Sequence, residues 1–264
     1  MTSGGGIAAV ASSRNRVLSR RGLATLGVML GAVAFVLIVV SPALVSRVLV
    51  STLGPQPDPV FPTPLSYLVL EHLAIVFISV GLDIAIGIPL GIWVTRESGR
   101  DFRDVVSASV DFGQVFPPIA VLALMLPLLG IGLPSAVVAL FLYGMFPVVS
   151  GTVTGLGAVP PSVIDAARGM GMGKWRVLFT VELPLAFDVI LAGVRTSLVY
   201  NVGTATVAAA VGAGGLGLPI FSGISTQNTG YILTGALAVS ALALVLDGSL
   251  AVLGMWLEPV GLRE

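Results

Sequence analysis

Long apolar stretches, each about the length of a membrane-spanning helix, dominate the chain and alternate with short polar segments. About 20 apolar residues cross a hydrocarbon core about 30 Å thick as a helix. The pattern predicts six such helices, at roughly 23–45, 67–94, 106–129, 134–153, 186–210 and 231–257. Prolines and glycines inside them are tolerated where neighbouring helices satisfy the freed backbone groups. We therefore expect an all-α, polytopic helical bundle embedded in a membrane.

Composition supports this expectation and excludes several classes of protein. Of the 264 residues, 56 % are hydrophobic and 10 % are charged, whereas a soluble domain carries about 25 % charged residues. The formal net charge is zero, so no overall bias favours nucleic acid as a partner. The absence of cysteine excludes disulfides and cysteine metal sites.

The basic residues predict the orientation, because loops kept in the cytoplasm accumulate Lys and Arg. They precede the first predicted helix and follow the second, the fourth and the sixth. They are Arg14, Arg16, Arg20, Arg21, Arg96, Arg100, Arg103, Arg168, Lys174, Arg176 and Arg263. Six spans with both termini in the cytoplasm place all of these on the inner side and leave only Arg47 outside.

The segments that flank the first helix are expected to lack regular structure. Residues 1–22, rich in Gly, Ser and Ala at their start, read as a disordered cytoplasmic tail. Residues 46–66 are proline-rich and predict an extended extracytoplasmic loop. Residues 258–264 form a second cytoplasmic tail. The first apolar run could be a cleaved signal peptide, but its length favours a retained anchor at 23–45.

A polar segment at 161–184 interrupts the apolar pattern on the predicted cytoplasmic side. Ser162 followed by Asp165 is a capping-box pattern and predicts a short helix over Val163–Arg168. Glycines then permit a sharp turn before a second short helix, Lys174–Val181, which Leu183-Pro184 is expected to end. One interpretation is a helix lying on the bilayer surface, and the other is a docking surface for a partner.

The spacing of this segment resembles the EAA loop of the membrane subunits of ABC importers. That loop has the pattern E-A-A, G, I, L-P, and this chain has Asp165-Ala166-Ala167, Gly171, Val181 and Leu183-Pro184 at the same intervals. The resemblance implies a coupling loop, at 154–185, that docks into a groove on an ATP-binding subunit. The residues implied in coupling are Asp165, Ala166, Ala167, Arg168, Gly171, Lys174, Trp175, Leu183 and Pro184.

From about Leu65 to Pro259 the chain also resembles the permeases of osmoprotectant importers, in segments such as 85–96, 127–149 and 182–217. The resemblance implies a five-helix permease core at 67–257 plus the N-terminal helix, in the cell membrane of a prokaryote. The implied cargo is glycine betaine, choline, carnitine or a similar solute. The implied partners are two ATP-binding subunits, a second permease and an extracytoplasmic solute-binding protein. ATP and Mg would bind the ATPase partner, and no cofactor is expected in this chain.

Two other functional classes agree less well with the sequence than the importer subunit does. A secondary transporter or channel that works without ATP should show inverted repeats or several intramembrane acids, and neither is evident. A membrane-embedded enzyme needs a catalytic set, and no such residues suggest themselves.

Three charges fall inside the predicted helices, where each is costly unless paired. Asp83, Arg195 and Asp247 all lie about 13–17 Å from the cytoplasmic edge at about 1.5 Å per residue. We hypothesise that Arg195 pairs with Asp83 or Asp247 and holds the helices in register. The alternative is a proton or ion relay.

Polar side chains recur along the fifth predicted helix at helical spacing. They are Thr196, Ser197, Tyr200, Asn201 and Thr204, and they either line a translocation path or form hydrogen bonds between helices. Gln114 and Phe116, which precede Pro117-Pro118, are further candidates for the path.

Three motifs resemble ligand sites but lack the required context. Residues 212–217 fit G-x-G-x-x-G without a βαβ unit, so we expect only a turn at the outer mouth. Gly173-Lys174 lacks the rest of a Walker A motif. His72 with Glu71 reads as an interfacial polar pair, and no metal site is expected.

Overall fold

The computed structural model describes residues 4–42, 45, 48 and 62–257, with residues 4–21 and 110–114 described as backbone only. The described residues form helices and no strands. The helices are α1 Gly4–Val40, α2 Leu65–Val94, α3 Arg103–Val115, α4 Pro118–Leu129, α5 Leu133–Gly157, α6 Pro161–Gly169, α7 Lys174–Val177, α8 Leu183–Ala208, α9 Gly217–Thr226 and α10 Thr229–Leu257. A 3₁₀ turn at Arg100–Phe102 precedes α3, a π-helical turn at Leu178–Glu182 joins α7 to α8, and a 3₁₀ turn at Ala209–Val211 follows α8.

Five stretches of the described chain are long and apolar enough to cross a membrane. They are Gly22–Val40, Leu65–Val94, Leu133–Gly157, Lys174–Val211 and Thr229–Leu257. The predicted class, an all-α polytopic membrane bundle, is therefore confirmed. The shorter apolar helix Pro118–Leu129 is too short to count among them.

The prediction of one continuous span at 106–129 is wrong. The helix ends at Val115, and Phe116 and Pro117 adopt extended backbone angles, with ψ of 136° at both. A residue before proline is pushed out of the helical region, and here two residues in succession precede a proline. Pro118 then begins α4, where its missing N–H costs no helical hydrogen bond.

The N-terminal region also differs from its prediction. A helix begins at Gly4, where a disordered tail was expected. Alanine and arginine, which are strong helix formers, are frequent in this segment and extend the apolar helix backwards. Most of the predicted loop at 46–66, including Arg47, and the tail at 258–264, including Arg263, lie outside the described residues.

The core of the bundle lies between α2, α5, α8 and α10. Its largest fully buried side chains include Ile75, Leu122, Leu140, Leu198 and Leu216. α1 packs on the outside against α10, with most of its large side chains exposed. Because lipid tails are as apolar as the side chains, close packing rather than hydrophobic burial must hold such helices together.

Small residues provide that close packing at two helix contacts. A Cβ on Gly91 of α2 would lie 2.6 Å from Cβ of Thr152 in α5. A Cβ on Gly151 of α5 would lie 3.0 Å from Cα of Gly193 in α8 and 3.1 Å from the carbonyl oxygen of Val189. The backbones of α2, α5 and α8 therefore approach one another at the end of the bundle that carries the 161–184 segment.

Candidate functional site

The predicted coupling loop forms a short helix, a glycine turn and the start of a long helix. α6 begins at Pro161, after Pro160 as its N-cap, and no side chain caps it. The predicted capping box of Ser162 and Asp165 is therefore wrong. Proline at the first helical position supplies the required φ and lacks one of the N–H groups that a cap would satisfy, so the helix begins two residues earlier than the box requires.

Gly171 terminates α6 in the left-handed conformation, with φ of +82°. The N–H of Met172 donates to the carbonyl oxygen of Ala167 at 3.2 Å, which is the six-to-one bond of a Schellman motif. A Cβ at this position would meet nothing within 4 Å. Backbone conformation rather than space therefore accounts for a glycine here.

The prediction that Leu183-Pro184 ends the second short helix is also wrong. The helix runs on from Lys174 to Val211, through a π-helical turn at Leu178–Glu182. Pro184 has no N–H to donate to the carbonyl oxygen one turn earlier. The wider π turn places this proline in the first turn of α8, where the helix does not require a donating N–H. The loop is thus joined rigidly to a transmembrane helix.

One side of the loop exposes large apolar side chains. Met170 is 72 % exposed, Trp175 73 % and Phe179 61 %, and the rings of Trp175 and Phe179 stack with their centroids 6.2 Å apart. Asp165 and Ala166 are exposed beside them. We call these five residues the coupling surface. Exposed apolar patches of this kind mark interaction sites.

The opposite side of the loop packs into the bundle. Ala167, Val177 and Leu178 are buried, and Leu178 belongs to a small core with Leu156, Ala186 and Ile190. The small side chain of Ala167 lets α6 lie flat against its neighbours. Together with the continuous helix, this packing fixes the loop against the start of α8.

Two ion pairs join the loop to the segment that follows α2. Arg96 contacts the buried carboxylate of Glu182. Lys174 donates to Oε2 of Glu97 at 2.8 Å, with both side chains exposed. The hydrogen bond and charge of Lys174, with a smaller effect of Arg168, lower the pKa of Glu97 below its usual value. Between these contacts and the coupling surface lies a groove of about 780 Å³, lined by residues that include Ile92, Trp93, Trp175 and Phe179.

Arg195 pairs with Asp247 between α8 and α10. Nε and an Nη of Arg195 donate to the two carboxylate oxygens of Asp247, each at 2.8 Å. This parallel two-bond geometry is the strong form of an arginine–carboxylate contact. Both side chains are about one third exposed.

Asp83 is not part of that pair. It is fully buried between α2 and α8, and its Oδ2 accepts hydrogen bonds from Ser197 at 2.7 Å and from Asn201 at 2.8 Å. Gly144 of α5 makes room for this contact, because a Cβ there would collide with the Asp83 carboxylate. The alternative in which Asp83 binds Arg195 is therefore wrong: α2 turns Asp83 towards the inner face of α8, whereas Arg195 points towards α10.

The polar residues of α8 lie on two faces rather than one. Ser197 and Asn201 are fully buried and are occupied by Asp83. Thr196 and Tyr200 are exposed on the neighbouring face, and Thr204 is half-buried. Phe116, at the break between α3 and α4, is 39 % exposed, and the side chain of Gln114 lies outside the described part of the chain.

His72 and Glu71 hold the glycine-rich turn at the opposite end of the bundle. Glu71 accepts the N–H of Gly215 at 3.0 Å, and Nδ1 of His72 accepts the N–H of Leu216 at 3.3 Å. Nε2 of His72 lies 3.1 Å from the carbonyl oxygen of Val202, so the neutral ring donates through Nε2 and accepts through Nδ1. His72 is fully buried, so the prediction of an interfacial pair is wrong for it. No group of His, Asp or Glu in the described residues could hold a metal ion.

The short helix α9, Gly217–Thr226, which follows this turn, was not predicted from the sequence. Gln227 ends it in the left-handed conformation, and Oδ1 of Asn228 accepts the N–H of Tyr231 to begin α10. A ten-residue apolar run between a glycine turn and a Gln-Asn pair is a usable signal for such a helix. It is too short to register as a membrane span.

Comparison with known proteins identifies the family. A family model described as "Binding-protein-dependent transport system inner membrane component" matches residues 87–259. The chain belongs to this family. The match contains the coupling loop and extends from α2 to just beyond the end of α10.

Relatives in the binding-protein-dependent transport family agree with the resemblance noted in the sequence. The osmoprotectant import permease protein OsmY of Salmonella typhimurium is 43 % identical, over 74 % of this chain and 83 % of its own length. The glycine betaine/carnitine/choline transport system permease protein OpuCB of Bacillus subtilis is 40 % identical, over 73 % of this chain and 88 % of its own. The resemblance to importer permeases of the osmoprotectant group is confirmed.

A solved structure shows the same fold. A chain of the MetNI methionine ABC transporter in an inward-facing conformation aligns with a TM-score of 0.63 and 27 % identity, covering 72 % of this chain and 95 % of that one. The arrangement of helices around the coupling loop is therefore that of an ABC importer permease.

Proposed function

We propose that this chain is the permease subunit of an ATP-driven importer that carries a compatible solute, such as glycine betaine, choline or carnitine, into a prokaryotic cell. The coupling surface carries the proposal, because a helix that exposes a stacked tryptophan and phenylalanine needs a partner to cover them. The class of solute is supported by the relatives, whose names specify osmoprotectants, glycine betaine, carnitine and choline.

The partner on the coupling surface is an ATP-binding subunit. Tryptophan and other large side chains at the centre of an interface contribute most of its binding energy. Trp175 and Phe179 lie at the start of the helix that continues into α8, and the Arg96–Glu182 pair ties that start to the end of α2. Movement of the ATPase would therefore be transmitted to two transmembrane helices. ATP and Mg bind that partner, two copies of which serve two permease subunits.

The translocation path runs between this chain and the second permease, whether identical or paralogous. Exposed polar groups in a membrane-spanning helix are costly unless they face a partner or water. Tyr200 is such a group and is 48 % exposed, and Thr196 is exposed one turn away, with its hydroxyl donating to the carbonyl oxygen of Ala192 at 2.9 Å. Ser197 and Asn201, which the buried Asp83 occupies, join helices instead. Thr204, Gln114 and Phe116 remain candidates for the path.

The end of the bundle with the coupling loop lies in the cytoplasm, because the exposed arginines 100, 103, 168 and 176 are all at that end. The solute-binding protein then approaches the opposite end, near the turn held by Glu71 and His72. The description of the family as an inner membrane component supports a location in the cell membrane of a prokaryote.

Reconstitution tests the transport reaction. The chain is placed in liposomes with its ATP-binding subunit and its solute-binding protein, and uptake of labelled glycine betaine, choline, carnitine and methionine is measured with and without ATP. We expect uptake of at least one of the first three solutes, dependent on ATP and on both partners. Uptake by this chain alone would instead support the alternative, an ATP-independent transporter or channel. Uptake of methionine alone would refute the class of solute.

A pair of tryptophan variants tests the docking surface. Trp175→Ala should weaken binding of the ATP-binding subunit about 30-fold, as expected for loss of about 2 kcal/mol at an interface centre. Trp256→Ala is the matched control, since Trp256 is 65 % exposed at the end of α10, outside the coupling loop. Equal affinities for the two variants, measured by co-purification or light scattering, would remove the proposed role of the surface.

A further inference from the structure

A pocket of about 270 Å³ at the coupling-loop end of the bundle is surrounded by arginines. It lies between the end of α2, the start of α3, the end of α5 and the loop helix α6. Its charged lining consists of Arg96, Arg100, Arg103, Arg168 and Glu182. Four guanidinium groups therefore face one carboxylate, and the pocket carries a net charge of +3. This pocket adjoins the groove beside the coupling surface, and Thr95, Arg96, Arg168 and Glu182 line both.

Most of this positive charge has no directly paired carboxylate, although Arg168 lies close enough to Glu97 to help lower the pKa of that carboxyl. Glu182 is engaged by Arg96. Within the described residues, Arg100, Arg103 and Arg168 make no ion pair within 4.0 Å. Asp101 and Asp104 alternate with the arginines along the chain, yet neither lines the pocket. Nε of Arg96 is buried and has no hydrogen-bond acceptor. Clustered like charges repel, so the arrangement is most stable with an anion between them.

Apart from Thr95, the remaining lining of the pocket is apolar. Val94, Val153 and Leu156 are buried at its floor, and Ile164 of α6 lies beside them. Val94 is the last residue of one membrane-spanning helix, and Gly157, also in the lining, is the last of another. The pocket is therefore at the level where the hydrocarbon ends and lipid headgroups begin.

We propose that this pocket binds the phosphate group of an anionic membrane phospholipid. Guanidinium groups bind phosphate oxygens in pairs with matched geometry, and three of the four make no direct ion pair with a carboxylate of the described residues. The apolar floor would contact the glycerol and upper acyl carbons of the same lipid. Basic pockets between transmembrane helices at the cytoplasmic face bind such headgroups. Because Arg168 follows the Asp165-Ala166-Ala167 motif directly, bound lipid would hold α6 against the bundle.

The test uses the intact complex of the permease with its ATP-binding subunit in mild detergent. Native mass spectrometry measures binding of added phosphatidylglycerol and phosphatidylcholine, in the presence and absence of inorganic phosphate. We expect phosphatidylglycerol to bind preferentially. Arg100→Gln and Arg103→Gln should each weaken it about fivefold, and the double variant about 25-fold. Arg176→Gln is the matched control, since Arg176 is exposed on α7 and does not line the pocket.

Four results would overturn the proposal. The first is equal phosphatidylglycerol binding by the pocket variants and the Arg176→Gln control, and the second is equal binding of the two lipids by the wild type. If inorganic phosphate fills the site and displaces the lipid at similar concentration, the source is a soluble phosphate and the lipid assignment fails. If lipid binds only after the ATP-binding subunit is removed, the arginines belong to the subunit interface. Helicity and elution volume of each variant are measured alongside, and exposed Arg→Gln changes should leave both unaltered.

Discussion

Replacement of Gly91 by alanine should separate two transmembrane helices at the coupling-loop end of the bundle. The new Cβ would lie 2.6 Å from Cβ and 2.8 Å from Cγ2 of Thr152, and 3.3 Å from the carbonyl oxygen of Val149. The Cβ of Thr152 is fixed to its backbone, and its hydroxyl is bound to the carbonyl oxygen of Val148 at 2.7 Å. The side chain therefore cannot rotate away, and α2 must move from α5.

The size of the movement follows from the contact distances. Real Cβ atoms essentially never approach closer than 3.0 Å, so the helices must separate by at least about 0.4 Å, and by more to reach an ordinary contact. Overpacking of this kind costs about 1–3 kcal/mol. Alanine is a better helix former than glycine by about 0.5–1 kcal/mol, which offsets part of the cost. We expect a net loss of about 1–2 kcal/mol, or a Tm lower by about 2–8 °C.

The assay is thermal unfolding of the detergent-solubilised chain, followed by the monodisperse fraction that remains after heating. Gly81→Ala is the matched control, because Gly81 lies in the same helix and a Cβ there would meet nothing within 4 Å. This variant should have an unchanged or slightly higher Tm. A Gly91→Ala protein as stable as Gly81→Ala would refute the argument that close approach of α2 and α5 requires glycine at this position.

Three further predictions concern polar contacts and the loop. A double-mutant cycle between Arg195→Ala and Asp247→Ala should give a coupling energy of about 1–2 kcal/mol in unfolding measurements. The effects of Arg195→Ala and Asp83→Asn on the free energy of unfolding should instead be additive within about 0.5 kcal/mol. A coupling energy between Arg195 and Asp83, with none to Asp247, would contradict the observed pairing. Gly171→Ala should destabilise the end of α6 by about 1 kcal/mol and speed amide exchange of the 165–172 peptide about fivefold. Gly169→Ala should not speed this exchange, because Gly169 has no positive φ and a Cβ there would meet no neighbour within 4 Å. Equal exchange rates for the two variants would exclude the conformational role of Gly171. Because Lys174 lowers the pKa of Glu97 from 4.5, this contact stabilises the loop above that pH, and its contribution is lost as pH falls through the lowered pKa. Lys174→Gln should therefore remove a small, salt-sensitive difference in Tm between pH 6 and pH 3.5, whereas Arg176→Gln should retain that difference. An identical dependence of Tm on pH for the two variants would contradict this role of Lys174.

Local pattern was sufficient for the class of fold and for the place of the coupling loop. Partition of a helix into lipid depends on the summed polarity of consecutive residues. The long apolar stretches at 67–94, 134–153, 186–210 and 231–257 could therefore be recognised without knowledge of their neighbours. The interval pattern of Asp165, Gly171 and Pro184 could be recognised in the same way, because each position reflects a backbone requirement or an exposed contact within one loop.

Local signals failed where two of them competed in the same segment. Ser162 and Asp165 form a good capping pattern, but Pro161 begins the helix before it. Leu183-Pro184 reads as a stop, but a π turn moves the proline into a position that tolerates it. At Phe116, by contrast, the two following prolines outweigh an apolar run long enough to span the membrane.

The sequence by itself predicted the long apolar helices and the position of each charged residue along them, while the tertiary structure decided which of these charged residues meet. Asp83 and Asp247 lie at similar depth and either could have paired with Arg195. Depth depends on distance along one helix at a constant rise per residue, so it can be counted from the sequence. Pairing depends on the rotation of each helix about its axis, and a helix that is apolar all round carries no polar face to specify that rotation. Here glycines at positions 91, 144 and 151 influence the rotation of these helices, because they determine which backbones approach closely. With the helices so placed, Asp83 contacts Ser197 and Asn201. Arg195 is left to pair with Asp247.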